Sequence, residues 1–315
     1  MEKLTIWGTK IPYNNPEKRK IDVMKIKHKW KPFAMISWIK NVFGTNIAKD
    51  SSGLDTYTYL DEIKNGKVSE YFDDVPNLIP FFVKGSDTAV IIAPGGGFCT
   101  QSRENEGYEI AKILNQNNIT AFVLDYRMNP YEAPVCYLDM QRAIRYVRYH
   151  AAEYNLKPER IGAMGFSAGG YVAGASTILL GNKTVDYPGY KSDDIDLMDG
   201  IPSFLGLIYP VTNFDENPNM LCLLAGDDFF DESKRVTLQK KYSLTKNLQP
   251  SNIPQFLCYG TKDMLKGIDK YGNRLEELGI PHEEIVLEGA GHGFSVNKKY
   301  ISWIIKYIKW LKDNV

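Results

Sequence analysis

The sequence predicts an α/β fold, a mostly parallel central sheet with helices on both faces, and three observations carry that reading. Short, nearly continuous apolar runs recur at 88–93, 119–125, 160–165, 204–209, 254–259 and 283–287, as strands do when both faces of their sheet are covered. Helical patterns at 104–117, 138–154, 168–180, 268–278 and 295–312 alternate with them, and strand–helix alternation marks parallel βαβ units. The chain has 315 residues, enough to bury a large core as one α/β domain of roughly 250 residues with additions.

Taken in order, residues 1–55 form an N-terminal extension rich in lysine, aromatics and proline, a candidate lid. Its amphipathic run at 33–43 suits either covering a pocket or packing on the back of the domain. Residues 56–315 are expected to form the α/β domain itself, with insertions at about 182–201 and about 212–250. The strand at 88–93 runs into Pro94-Gly95-Gly96-Gly97-Phe98, where bare backbone can approach a ligand closely. Ser102, Arg103 and Glu104 follow and suit a helix N-terminal cap. Arg127 ends the next strand, and it is expected to pair with Asp139 and hold the loop instead of contacting substrate. Phe98, Phe166 and Tyr171 are read as packing.

The strand at 160–165 leads into Gly165-Phe166-Ser167-Ala168-Gly169 and then a helix. A serine on such a sharp turn stands above the sheet, where a base can reach it, and small residues two before and two after relieve the crowding. Asp263 follows the strand at 254–259, and His292 follows the strand at 283–287 within Gly289-Ala290-Gly291-His292-Gly293-Phe294. The chain order is therefore serine, acid, histidine, each after its own strand, as in an α/β-hydrolase fold. Right-handed crossovers gather those loops on one edge. In that arrangement His292 takes the proton of Ser167 and Asp263 orients the imidazole. Oxyanion donors are assigned to Gly96 and Gly97 of the glycine loop and to Ala168 after the nucleophile. Glu288 is the second choice for the acid, whereas Asp269 falls inside a helix; His28, His150 and His282 do not follow a strand.

Pro94-Gly95-Gly96-Gly97-Phe98, Leu124-Asp125-Tyr126-Arg127, Met164 to Gly170, Gly260-Thr261-Lys262-Asp263 and Gly291-His292-Gly293-Phe294 together resemble the α/β-hydrolase carboxylesterases near the acetyl-xylan and feruloyl esterases and the hormone-sensitive-lipase-like group. The resemblance spans residues 80–315. It departs from the hormone-sensitive-lipase-like pattern at Pro94, where that group begins its glycine triplet with histidine, and so leans to the carbohydrate-esterase side. The resemblance implies a serine carboxylesterase acting on short-chain acyl esters, acetyl foremost and on carbohydrates among others, with no metal and no organic cofactor. A lipase or peptidase of the same fold, or a non-catalytic binding protein, are the alternatives.

Lysine plus arginine and aspartate plus glutamate are equal at 38 each, so no nucleic-acid or anionic-membrane partner is expected, only a small-molecule ester. Cys99, Cys136, Cys222 and Cys258 are widely spaced, without metal-type pairs, and read as reduced thiols. The first residues lack a secretory signal pattern, and the apolar stretch at 32–44, interrupted by Lys40, is too short to span a bilayer. A cytoplasmic protein is expected, with homo-oligomerisation left open.

Overall fold

The computed structural model describes residues 3–14, 20–22, 69–71, 75–98, 101–128 and 131–315. Its main sheet has eight strands, β1 (Leu4–Thr5), β4 (Asn77–Phe81), β5 (Ala89–Ala93), β6 (Thr120–Asp125), β7 (Ile161–Phe166), β8 (Leu205–Ile208), β9 (Gln255–Gly260) and β10 (His282–Leu287). They lie in the order β1-β4-β6-β5-β7-β8-β9-β10. From β6 to β10 every pair is parallel; β1 with β4 and β4 with β6 are antiparallel. Two further strands, β2 (Lys20–Asp22) and β3 (Ser69–Tyr71), form a separate antiparallel ribbon.

Each of the six apolar runs is a strand; five are buried on both faces along most of their length, as the pattern suggests, while β10, at the sheet edge, is half-buried with Glu284 and Val286 exposed. Val90 and Ile92 of β5 join one core with Ile110 and Leu114 of α1 (Glu109–Gln116) and Trp303 and Ile304 of α8 (Ser302–Asn314). Ile91 and Ala93 join the other with Ile144 of α2 (Val135–Tyr149), Val172 of α3 (Ala168–Ala175) and Tyr271 of α7 (Ile268–Glu277). Alternate side chains of one strand thus feed two cores, and each fully buried Val or Ile contributes about 1.5–3 kcal/mol.

β1 and β4 were not among the expected strands. β4 carries Asn77 and Pro80, which read as breakers; β1 pairs only with Asn77 and Leu78, so Pro80 lies beyond it, where a missing N–H on that side forfeits no ladder bond. Helix boundaries shift too. The 104–117 pattern opens with a wide π-type turn, Arg103–Tyr108, before α1, and 295–301 is a series of turns ahead of α8. Ser102 caps nothing with its side chain; instead its amide donates to the Gly95 carbonyl at 2.8 Å.

Of the 1–55 extension, the run at 33–43 lies outside the described residues. Leu4 and Thr5 belong to the sheet, and Ile6 and Trp7 are buried in the core. The 212–250 segment contains α4 (Pro218–Ala225), α5 (Glu232–Tyr242) and α6 (Leu244–Asn247). Cys136 and Cys258 are free and buried; burial raises both thiol pKa values, that of Cys136 to about 12. Cys99 and the side chain of Cys222 lie outside the described residues. Among the described residues no helix is long and apolar enough to cross a membrane.

Candidate active site

β5, β7, β8, β9 and β10 all release their chains at the same edge of the sheet, where ligands of open α/β folds bind. β7 ends in Ser167, whose φ of 54° and ψ of −119° place a non-glycine residue in a sparsely populated region that costs on the order of 1–3 kcal/mol. Its neighbours hold it there. The Ser167 amide donates to the Ile208 carbonyl at 3.0 Å, and its carbonyl accepts from the amides of Val211 and Tyr171 at 3.1 and 3.2 Å. The flanking glycines are steric necessities: a Cβ on Gly165 would stand 2.1 Å from the Gly169 carbonyl oxygen, and one on Gly169 would stand 2.1 Å from that of Ala93. Strand, helix start and adjacent strand therefore interlock beneath the serine.

Asp263 sits on the turn after β9 and His292 on the loop after β10. The two loops are joined, since the Lys262 amide donates to the Ala290 carbonyl at 2.9 Å. His292 Nδ1 lies 2.9 Å from Asp263 Oδ1 and 3.1 Å from Oδ2, and its Nε2 lies 2.8 Å from Ser167 Oγ. An ionised carboxylate only accepts, so Nδ1 carries the proton and Nε2 of the neutral ring is left to accept from the serine hydroxyl. Asp263 Oδ1 also accepts from the Leu265 amide at 2.8 Å. The aspartate side chain is 3% exposed and the histidine 22%, so the acid is dry while the base reaches solvent. The three residues brought together by chain order thus form one continuous run of hydrogen bonds.

The glycine loop lies against this run. A Cβ on Gly95 would stand 2.9 Å from Ser167 Cβ and 2.7 Å from the Phe166 carbonyl oxygen. Gly96 and Gly97 follow at φ of 145° and 66°, values glycine adopts without steric cost, and Phe98 holds a positive φ of 64° without being glycine. Ala168 opens α3 directly after Ser167. The loop is anchored by Tyr126, whose hydroxyl donates to the Pro94 carbonyl at 2.7 Å, and by Glu106, whose Oε2 accepts from the Gly95 amide at 2.7 Å.

Glu106 and Tyr209 were not singled out by the sequence. The Tyr209 hydroxyl donates to Glu106 Oε1 at 2.8 Å, and its ring meets His292 edge-on, centroids 5.0 Å apart. Burial pushes the Glu106 carboxyl above its usual range, against the opposing pull of Tyr209, the Gly95 amide and His292. Burial, with Glu106 beside it, likewise raises the Tyr209 phenol. One signal existed: Glu106 falls three and four residues before Glu109 and Ile110 in a pattern whose apolar face is Ile110, Ala111 and Leu114.

The remaining candidates fall elsewhere. Glu288 is exposed beyond β10, and Asp269 is exposed on α7. His150 pairs with Glu153 and His282 bonds to the Ile280 carbonyl; His28 lies outside the described residues. Arg127 and Asp139 form a buried pair, Nη2 to Oδ1 at 2.6 Å and Nε to Oδ2 at 2.9 Å. Among the described residues no group of three or more His, Cys, Asp or Glu is arranged to hold a metal ion.

Comparison with known proteins adds relatives to this geometry. The BD-FAE family model matches residues 79–266. The chain is 30% identical over 241 residues to an acetylxylan esterase of Xylanibacter ruminicola, an alignment covering 72% of this chain and 46% of that protein. It is 26% identical over 243 residues to endo-1,4-beta-xylanase B of Butyrivibrio fibrisolvens, covering 72% and 36%. The chain thus spans less than half the length of these curated relatives. Among solved structures, an acetyl ester-xyloside bifunctional hydrolase from Caldicellulosiruptor lactoaceticus superposes with a TM-score of 0.66 at 29% identity, covering 77% of this chain and 89% of that one. These likenesses make the architecture an α/β-hydrolase fold.

Proposed function

The chain belongs to the BD-FAE family, and we propose that it is a serine carboxylesterase that hydrolyses short-chain acyl esters, acetyl esters of carbohydrates foremost. One observation carries the reading: His292 Nε2 is 2.8 Å from Ser167 Oγ while its Nδ1 is 2.9 Å from Asp263 Oδ1. The acetylxylan esterase and the acetyl ester-xyloside hydrolase among its relatives support the choice of acetyl and sugar.

In the proposed reaction Ser167 Oγ bonds to the ester carbonyl carbon as its proton passes to His292 Nε2. The carbonyl oxygen becomes an anion that the amides assigned at Gly96, Gly97 and Ala168 stabilise, and loss of one such donor costs roughly 10²–10³-fold in kcat. The carbon–alkoxy bond then breaks and His292 returns its proton to the departing alcohol, leaving an acyl-Ser167. Water repeats the sequence: it loses a proton to His292 as it bonds to the acyl carbon, and Ser167 leaves with that proton. Throughout, Asp263 stabilises the imidazolium without itself being protonated. Residues 212–250 are assigned a cap that limits substrate size. Asn217 in that segment bonds to the Lys266 carbonyl at 2.9 Å, which brings it beside the Asp263 turn.

Hydrolysis of 4-nitrophenyl acetate and its longer-chain analogues, by the wild type and Ser167→Ala, tests the proposal. The variant should lose about 10⁴-fold or more in kcat. Equal turnover by the two proteins refutes the serine mechanism, and turnover confined to long acyl chains refutes the acetyl assignment. A panel of acetylated xylo-oligosaccharides then decides the leaving group.

A further inference from the structure

Gly95 is the hinge between β5 and the glycine turn, and its amide points away from solvent into a single acceptor, Glu106 Oε2, at 2.7 Å. The whole Glu106 side chain is buried. It reaches this position because the wide turn Arg103–Tyr108, with its Glu109 amide bonded to the Glu104 carbonyl, points it back under the loop; such turns recur at functional sites. Its other oxygen takes the Tyr209 hydroxyl at 2.8 Å. The carboxyl therefore bridges the loop after β5 and the residue after β8, on either side of β7 and its serine.

We propose that Glu106 is a positioning residue for the oxyanion-binding turn, its carboxyl holding the Gly95 amide so that the following glycines stand against Ser167. This rests on the serine-esterase reading. The hold does not depend on charge. As a carboxylate, Glu106 accepts from both donors; as an acid, Oε2 still accepts from Gly95 while Oε1 donates to the Tyr209 oxygen, which can act either way. A glutamine satisfies the same two partners, with its oxygen toward Gly95 and its amide nitrogen toward Tyr209. A leucine satisfies neither and leaves the Gly95 N–H buried without a partner, which a backbone rarely tolerates without moving.

The experiment measures kcat and KM on 4-nitrophenyl acetate for the wild type, Ser167→Ala, Glu106→Gln, Glu106→Leu and Glu106→Asp, with active sites counted by exhaustive fluorophosphonate labelling. Glu106→Gln is expected to keep kcat within about threefold. Glu106→Leu is expected to lose about 10- to 100-fold in kcat with KM changed less than about threefold, because an oxyanion donor acts in the transition state and not in substrate binding. Affinity for a trifluoromethyl ketone, whose adduct places an oxyanion in the same turn, should fall in step with kcat. Should the leucine variant not fold, Glu106→Asp decides. Its chain is too short to hold both partners, so a tenfold or larger loss supports the assignment and full kcat overturns it. The proposal also fails if Glu106→Leu keeps wild-type kcat per labelled serine, or if Glu106→Gln falls as far as leucine. In those cases the wild type still outpaces Ser167→Ala; if it does not, the esterase reading itself has failed and takes this one with it.

Discussion

Asp139 and Asp263 are both buried acids, yet their partners differ in kind. Asp139 is fully buried and accepts four hydrogen bonds, from the Arg127 amide at 3.0 Å, Arg127 Nε at 2.9 Å, Arg127 Nη2 at 2.6 Å and Trp7 Nε1 at 2.8 Å. Arg127 spends a further donor on the Pro12 carbonyl at 2.6 Å. A guanidinium never gives up its proton, so this knot has one state, and it ties residues 7 and 12 to the sheet. Asp263 instead faces the His292 imidazole, which takes and returns a proton in the proposed reaction, and beyond it lies Ser167. The same burial that makes one acid a fixed clamp lets the other steady a partner that exchanges a proton in the proposed reaction, and the difference lies in the partner.

Breaking the second acid should give the larger effect on turnover. Asp263→Asn is expected to lower kcat about 10³–10⁴-fold, since an amide can donate to Nδ1 and hold the wrong tautomer, while equilibrium unfolding in urea changes little. Glu288→Gln, the exposed alternative acid, should leave the rate unchanged in the same assay. Breaking the first acid should reverse the pattern. Asp139→Asn leaves the Arg127 guanidinium buried without its counter-charge and should cost about 3–5 kcal/mol of stability, read by denaturant titration. The smallest effect sharpens the comparison: Trp7→Phe removes one bond of four and should cost about 1–2 kcal/mol, with kcat unaltered in the folded protein.

The legibility of the sequence divides along similar lines. The β5–β9 runs could be read because strands covered on both faces are apolar nearly throughout, β10 from its shorter Ile285-Val286-Leu287 run, and the Ser167, Asp263 and His292 loops because each follows such a run and carries glycines. Strand β4 could not, because Pro80 is tolerated only by virtue of the shortness of β1, which no local pattern reveals. Glu106 was hidden by its type. An acid early in an amphipathic segment ordinarily faces water, and the burial of Glu106 and its bonds to the Gly95 amide and to Tyr209, 103 residues away, show that this one does not. Local chemistry marked the three residues to which the reaction is assigned, while the burial of Glu106 became visible only through contacts distant in the chain.

The link from the Lys262 amide to the Ala290 carbonyl has a mechanical consequence. It fastens the Asp263 turn to the His292 loop, so that a displacement of either carries the other with it. A shared displacement would alter the gap between the His292 imidazole and the Ser167 hydroxyl and leave the spacing of imidazole and carboxylate, and with it the tautomer, as it was.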